Sequence, residues 1–169
     1  MSRIRSVFFG ALGVGVVSGM RTFLMPALLS RASPAPPGTS SANGAAHLLR
    51  SPAVSNALAL ASLGELIGDK LPMAPDRTEV PSIAARAVSG GFAATVIASW
   101  NSEAAVPAAV LGSVGAIGSA HVMVRLRTAI GRRLDIPDPL VGLAEDCLAL
   151  AIGHILISTA EGNQAATGP

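Results

Sequence analysis

Half of the 169 residues are apolar and only 13% are charged, with a mean hydropathy of +0.55. That excludes an ordinary soluble domain, which carries about 25% charged residues and has too much surface to hide so much apolar area at this size. The net charge of +2 does not point to nucleic acid, because the basic residues sit at the ends of apolar runs and the chain has no Tyr and one Trp to stack on bases.

The expected fold is all-α: a polytopic transmembrane helical bundle of about five spans forming one domain over 1–160, with a polar, disordered tail over 161–169. The first apolar segment, 6–30, carries Arg21 and Pro26 and is expected to be broken there. No small-x-small cleavage site follows its apolar stretch, so it reads as a retained span. Residues 31–47, rich in Pro, Gly and Ser, predict a mobile loop. The second span, 52–68, starts with Ser51-Pro52, a cap followed by a first-turn proline. It has 17 residues where a bilayer core of about 30 Å needs about 20. Residues 69–81 hold Asp69, Lys70, Asp76, Arg77 and Glu79 among prolines. The third span is 82–100, and a tight turn at 101–103 leads to the fourth, 104–124, which has no charge. Residues 125–137 connect it, with Arg125, Arg127, Arg132 and Arg133, to the fifth span, 139–160, for which Asp138 is the expected N-cap.

Alternating crossings with the N-terminus in the cytoplasm put eight basic residues at inner ends (Arg3, Arg5, Lys70, Arg77, Arg125, Arg127, Arg132, Arg133) and two at outer ends (Arg31, Arg50). That bias predicts a multi-pass membrane protein, N-terminus inside and C-terminus outside. Trp100 then falls at the outer interface, and Phe8 and Phe9 at the inner one. The layout fails if the first segment is a re-entrant hairpin. Gly15 with Gly19, Gly64 with Gly68, and Gly112, Gly115 and Gly118 have spacings that let helices approach closely, inside the bundle or across a homo-oligomer seam.

The chemistry lies in charges within apolar segments: Arg21, Glu65, Arg86, Glu145 and Asp146. Facing lipid, each would cost about 2.5–3.5 kcal/mol, or on the order of 15 kcal/mol together. They are therefore expected to face inward and pair, with Asp69, Lys70 and Arg77 just beyond the second span, as one cluster in the inner half. Arg86 would meet Glu65 or Asp69. Glu145 and Asp146 point about 100° apart, so one would face the cluster and the other a neighbouring helix. Arg21 would cap the cluster or sit between two half-helices near Gly19 and Pro26, an arrangement typical of substrate and ion sites. The alternative is that the buried pairs only fix helix register. No cofactor or metal is expected: Glu65, Asp69, Glu145 and Asp146 are oxygen ligands, but two basic residues lie close by. His121 and His154 read as packing residues, and Cys147 as a small buried residue. Lys70 and Arg77 match the first element of the phosphatidic-acid phosphatase signature, whose companion elements are absent.

The segments Ser18-Gly19-Met20-Arg21-Thr22, Glu65-Leu66-Ile67-Gly68-Asp69-Lys70-Leu71-Pro72 with Pro75-Asp76-Arg77-Thr78, Arg86 with Ser89-Gly90, and Pro137-Asp138 with Glu145-Asp146 resemble the bacterial membrane-protein family catalogued as domain of unknown function 4126. The resemblance runs from about Ser6 to Ala160. It implies a membrane location and brings no activity, substrate or cofactor. The sequence thus leads to a small transporter or permeation protein whose charged cluster contacts a polar or ionic solute. A membrane enzyme acting on a lipid phosphate head group and a non-catalytic scaffold are the alternatives. The lipid bilayer is the expected partner, with a homo-oligomer through glycine faces a further option.

Overall fold

The computed structural model describes residues 2–32, 44–68, 79–100, 104–134 and 137–165. Among them every regular element is helical: α1 (Ser2–Met20), α2 (Leu24–Arg31), α3 (Gly44–Leu49), α4 (Pro52–Gly68), α5 (Val80–Trp100), α6 (Ala105–Leu134) and α7 (Asp138–Ala165). Three helices, α5, α6 and α7, are long and apolar enough to cross a membrane, and Phe8–Met20 of α1 is a shorter apolar helix. The 21 residues of α5 span about 31 Å at 1.5 Å per residue, the thickness of the hydrocarbon layer. Large apolar side chains point outward, including Leu60, Leu63, Ile67, Val88, Val106, Val110, Val114, Leu143, Leu148 and Ile155. Water would penalise such a surface, whereas lipid does not. The chain is an all-α membrane bundle.

The centre is a triad of α1, α5 and α6, with α7 against α1 and α2 and with α4 outside α2. Small residues bring the triad together. A Cβ on Gly15 would collide with the Gly112 carbonyl, and one on Gly19 with the Ala116 carbonyl and the Ser119 hydroxyl. A Cβ on Gly90 would lie 2.6 Å from Gly112 O, and one on Gly115 2.8 Å from Leu12 O. Hydroxyls add cross-helix bonds, with Ser119 Oγ donating to Val16 O at 2.9 Å and Ser113 Oγ to Ala87 O at 2.9 Å. These glycines serve the internal bundle, whereas Gly64, Gly68 and Gly118 face open space.

The same contacts fix helix directions. Gly15 meets Gly112 and Gly19 meets Ala116, so α1 and α6 are parallel. Ala94 meets Gly112 and Gly90 meets Ala116, so α5 is antiparallel to both. Arg21 meets Asp146 and Gly13 meets Leu156, so α7 also opposes α1. The alternating five-crossing layout requires α1 and α5 to be parallel, and this is corrected. The physical reason lies between them. The Ser30 and Ser55 hydroxyls meet at 3.0 Å, and Glu65 reaches back to the Thr22 amide at 2.8 Å. The α2–α4 pair therefore leaves the end of α1 and returns to the same level. Met25 and Leu28 of α2 lie against Gly153 beside Val17, so the chain folds back after Arg21. The first apolar segment therefore turns back on itself between α1 and α2, and α1 and α7 bring their outer ends, Ser2 and Ala165, to one side.

Other boundaries differ in the direction helix propensity favours. The 125–137 connection is helical to Leu134, and the tail expected from 161 is helical to Ala165; Arg, Leu, Ala and Gln are strong helix formers. Pro137 O accepts the first bonds of α7, from Leu140 N at 2.9 Å, which makes Asp138 its first helical residue rather than its cap. Within 31–47, Gly44 onward forms α3. Trp100 is buried in the core instead of sitting in an interfacial belt, whereas Phe8 and Phe9 are exposed.

Candidate functional site

In a continuous helix from α1 into α2, Thr22 N and Phe23 N would donate to Ser18 O and Gly19 O. Pro26 disfavours this continuation. It has no N–H for Thr22 O, and its ring would clash with that carbonyl. After the break Pro26 lies in the first turn of α2, where no intrahelical donor is needed. Arg21 N still closes α1 by donating to Val17 O at 2.8 Å, and Ala27 N donates to Phe23 O at 3.0 Å within α2.

The orphaned backbone groups find partners on other helices. The Glu65 carboxylate on α4 accepts from Thr22 N at 2.8 Å and Phe23 N at 3.1 Å. Arg86 on α5 donates from Nη1 to Gly19 O at 3.0 Å. Ser89, one turn along α5, donates from its hydroxyl to Thr22 O, the carbonyl that Pro26 cannot serve. The Arg86 guanidinium lies 3.7 Å from Glu65 Oε1, and its Nε donates to Ser82 Oγ at 3.4 Å. A negative carboxylate thus sits at the positive N-terminus of α2 and a cation at the negative C-terminus of α1, matching both helix dipoles.

Arg21 itself turns toward α7. Its Nε donates to Asp146 Oδ1 at 2.6 Å, and its Nη2 pairs with the same oxygen. The two side chains are 1% and 2% exposed, so the pair is dry. Glu145 takes the other direction: its Oε2 lies 3.9 Å from Arg127 Nη1 on α6. Arg127 also grips the exposed Asp138 carboxylate with two bonds of 2.5 Å, pinning the end of α6 to the start of α7. Beside the break, the Ser18 hydroxyl is fully buried with no hydrogen-bond partner among the described residues.

The geometry therefore brings Arg21, Glu65, Arg86 and Asp146 to one place, the α1–α2 break, and sends Glu145 to a second cluster with Arg127 and Asp138. Asp69, Lys70 and Arg77 lie outside the described residues. No group of three or more His, Cys, Asp or Glu stands ready to hold a metal among the described residues. Of the candidate acids, Glu65 takes backbone amides, and Glu145 and Asp146 lie against arginines. Two readings of single residues are corrected. Cys147 is exposed, and His121 and His154 lie on the exposed surface, His121 Nδ1 contacting its own helix at Ile117 O, 2.9 Å away. All three fall outside the small-residue stripes that face inward. The backbone groups of Gly19, Thr22 and Phe23 and the side chains of Ser89 and Arg127 complete the two clusters. A usable signal for Ser89 existed: a proline four residues after Thr22 leaves that carbonyl needing a donor. Comparison with family models, with curated proteins and with solved structures gives no match to this chain.

Proposed function

We propose that this is a small transporter or permeation protein of a bacterial inner membrane, in which the α1–α2 break and its charged partners contact a polar or ionic solute. One observation carries the reading. Backbone groups that a continuous helix would satisfy within itself are held by ionisable side chains, Glu65 and Arg86, from two other helices. Packing alone gains nothing from such a break in an apolar helix, because buried charges are costly and a helix satisfies its own amides. Exchangeable partners at half-helix ends are how membrane proteins hold polar cargo. The resemblance to the domain of unknown function 4126 family supports the membrane location and adds no activity.

The directions of the helices place Arg125, Arg127, Arg132 and Arg133 at the same end of the bundle as the break, opposite Arg3 and Arg5. The positive-inside rule then puts the α6–α7 turn in the cytoplasm and the Ser2 end of α1 outside. This replaces the cytoplasmic N-terminus, whose charge count depended on five alternating crossings. It keeps the break in the inner half.

A scaffold is the second reading, favoured by the dryness of the Arg21–Asp146 pair. Lipid head-group chemistry has less support, since Arg86 is 4% exposed and cannot meet a phosphate at the bilayer surface. A second copy, if one packs here, has Gly64, Gly68 and Gly118 left to use. The test is stopped-flow light scattering on proteoliposomes challenged with sodium salts of small carboxylates, sodium phosphate and neutral polyols. Transport predicts faster passage of at least one solute than in protein-free vesicles, lost in Arg21→Gln at unchanged helix content. Permeability equal to protein-free vesicles for the whole panel, with a folded Arg21→Asp/Asp146→Arg swap, overturns transport in favour of the scaffold.

A further inference from the structure

We propose that α4 is a lid over the α1–α2 break, pivoting at its Ser55 end and latched at its other end by Glu65. The lid rests on the transport reading for its purpose, though not for its detection.

The helices differ in what holds them. α5 buries nine residues, including Gly90, Gly91, Ala94 and Trp100, whereas α4 buries Ser62 alone. α4 packs on α2 and α3 and contributes only partly buried Val54 and Leu58 to the core. Its outer face, with Leu60, Leu63 and Ile67, gains nothing from association, because lipid tails are as apolar as leucine. What remains is polar. At one end the Ser55 hydroxyl meets Ser30, and α3 precedes α4 with Leu49 anchored at 4% exposure. At the other end Glu65 makes two amide bonds and the Arg86 contact.

These attachments are unequal in what breaking them exposes. Moving the Glu65 end uncovers Thr22 N, Phe23 N and the Arg86 side chain, which are all donors. Among the described polar groups, moving the Ser55 end uncovers Ser30, whose hydroxyl already donates to Ala27 O at 2.7 Å. The frame beneath stays put: Gly15, Gly19, Gly90 and Gly112 leave α1, α5 and α6 no room to slide, and such packed interfaces do not deform continuously. One helix is thus held mainly by exchangeable hydrogen bonds, against three held by backbone contact.

The experiment is pulsed dipolar spectroscopy on full-length protein in lipid nanodiscs, in a Cys147→Ser background because Cys147 is exposed. Nitroxides at Ile67→Cys and Val114→Cys report the lid. Nitroxides at Val88→Cys and Val114→Cys report the frame. All three sites are exposed, at 66%, 58% and 72% for Ile67, Val114 and Val88. Glu65→Gln is expected to add a lid population longer by about one helical turn, ~5 Å, with the frame distance unchanged. Should Glu65→Gln not fold, hydrogen exchange on the unaltered chain decides: the Thr22 and Phe23 amides exchange about tenfold faster than those of residues 14–20 if α4 opens locally. Unchanged lid distances, equal movement of the frame pair, or exchange at Thr22 and Phe23 as slow as in α1 overturns the lid. A lid that opens while no solute crosses refutes transport alone, and solute flux with fixed distances refutes the lid alone.

Discussion

Neutralising Asp146 is the sharpest test of what the buried charges contribute. Asp146→Asn keeps the shape of the side chain and removes the charge that Arg21 Nε and Nη2 both face, in a pocket where the two residues are 1% and 2% exposed. Breaking a buried ion pair from one side costs about 3–5 kcal/mol, because the surviving charge keeps its desolvation penalty. The membrane lowers this figure: polar couplings between membrane helices average about 0.6 kcal/mol, since the dispersed helices also find partners. The ionic term wins here because a guanidinium at 1% exposure cannot snorkel to water. The expected loss is therefore at least about 3 kcal/mol, more than a hundredfold in the unfolding constant. Reversible unfolding in mixed micelles measures it, with Arg21→Met/Asp146→Leu as the companion. The double variant should regain most of the loss, as apolar replacement of whole buried pairs does. A single-variant cost below about 1 kcal/mol, or a double variant as unstable as the single, would refute the reasoning.

Gly112→Val should destabilise the bundle by about 1–3 kcal/mol or more, since its Cβ would collide with Gly90 O and lie 2.6 Å from the Ala94 methyl. Gly64→Ala meets nothing within 4 Å and should be neutral or stabilising by about 0.5–1 kcal/mol through helix propensity; thermal unfolding in detergent separates the two. Ser89→Ala removes the donor to Thr22 O and should cost about 1–3 kcal/mol while leaving the Arg21–Asp146 pair intact, so a double-mutant cycle with Asp146→Asn should come out additive.

The membrane fold was legible because composition and apolar run length act before any packing detail. So was the divergence of Glu145 and Asp146, which follows from 100° per residue on a helix, and the break near Pro26, which follows from a missing N–H. Helix direction was not legible. Counting apolar runs treats each as a crossing, and nothing local in 52–68 says that it returns to the level it left. That information resides in long-range contacts such as Glu65 with Thr22, 43 residues apart. The orientation expected from charge rests on the same crossing count, because the same arginines change sides when its parity changes. Trp100 was misplaced for a related reason: an aromatic at the end of an apolar run reads as interfacial unless a neighbouring helix covers it.

The break and the charges beside it depend on each other. Without Glu65, two amides of Thr22 and Phe23 would face hydrocarbon, at several kcal/mol each. Without the break, the Glu65 carboxylate and the Arg86 guanidinium would lose the backbone groups that compensate their own burial. Neither half is stable in lipid alone, so selection for the pair as packing would have to install both at once, to reach what an unbroken apolar helix reaches with neither. Of the three side chains at the break that hold backbone groups, only Glu65 comes from a helix that the glycine contacts leave free to move. Any exchange of partners at the break therefore begins with α4.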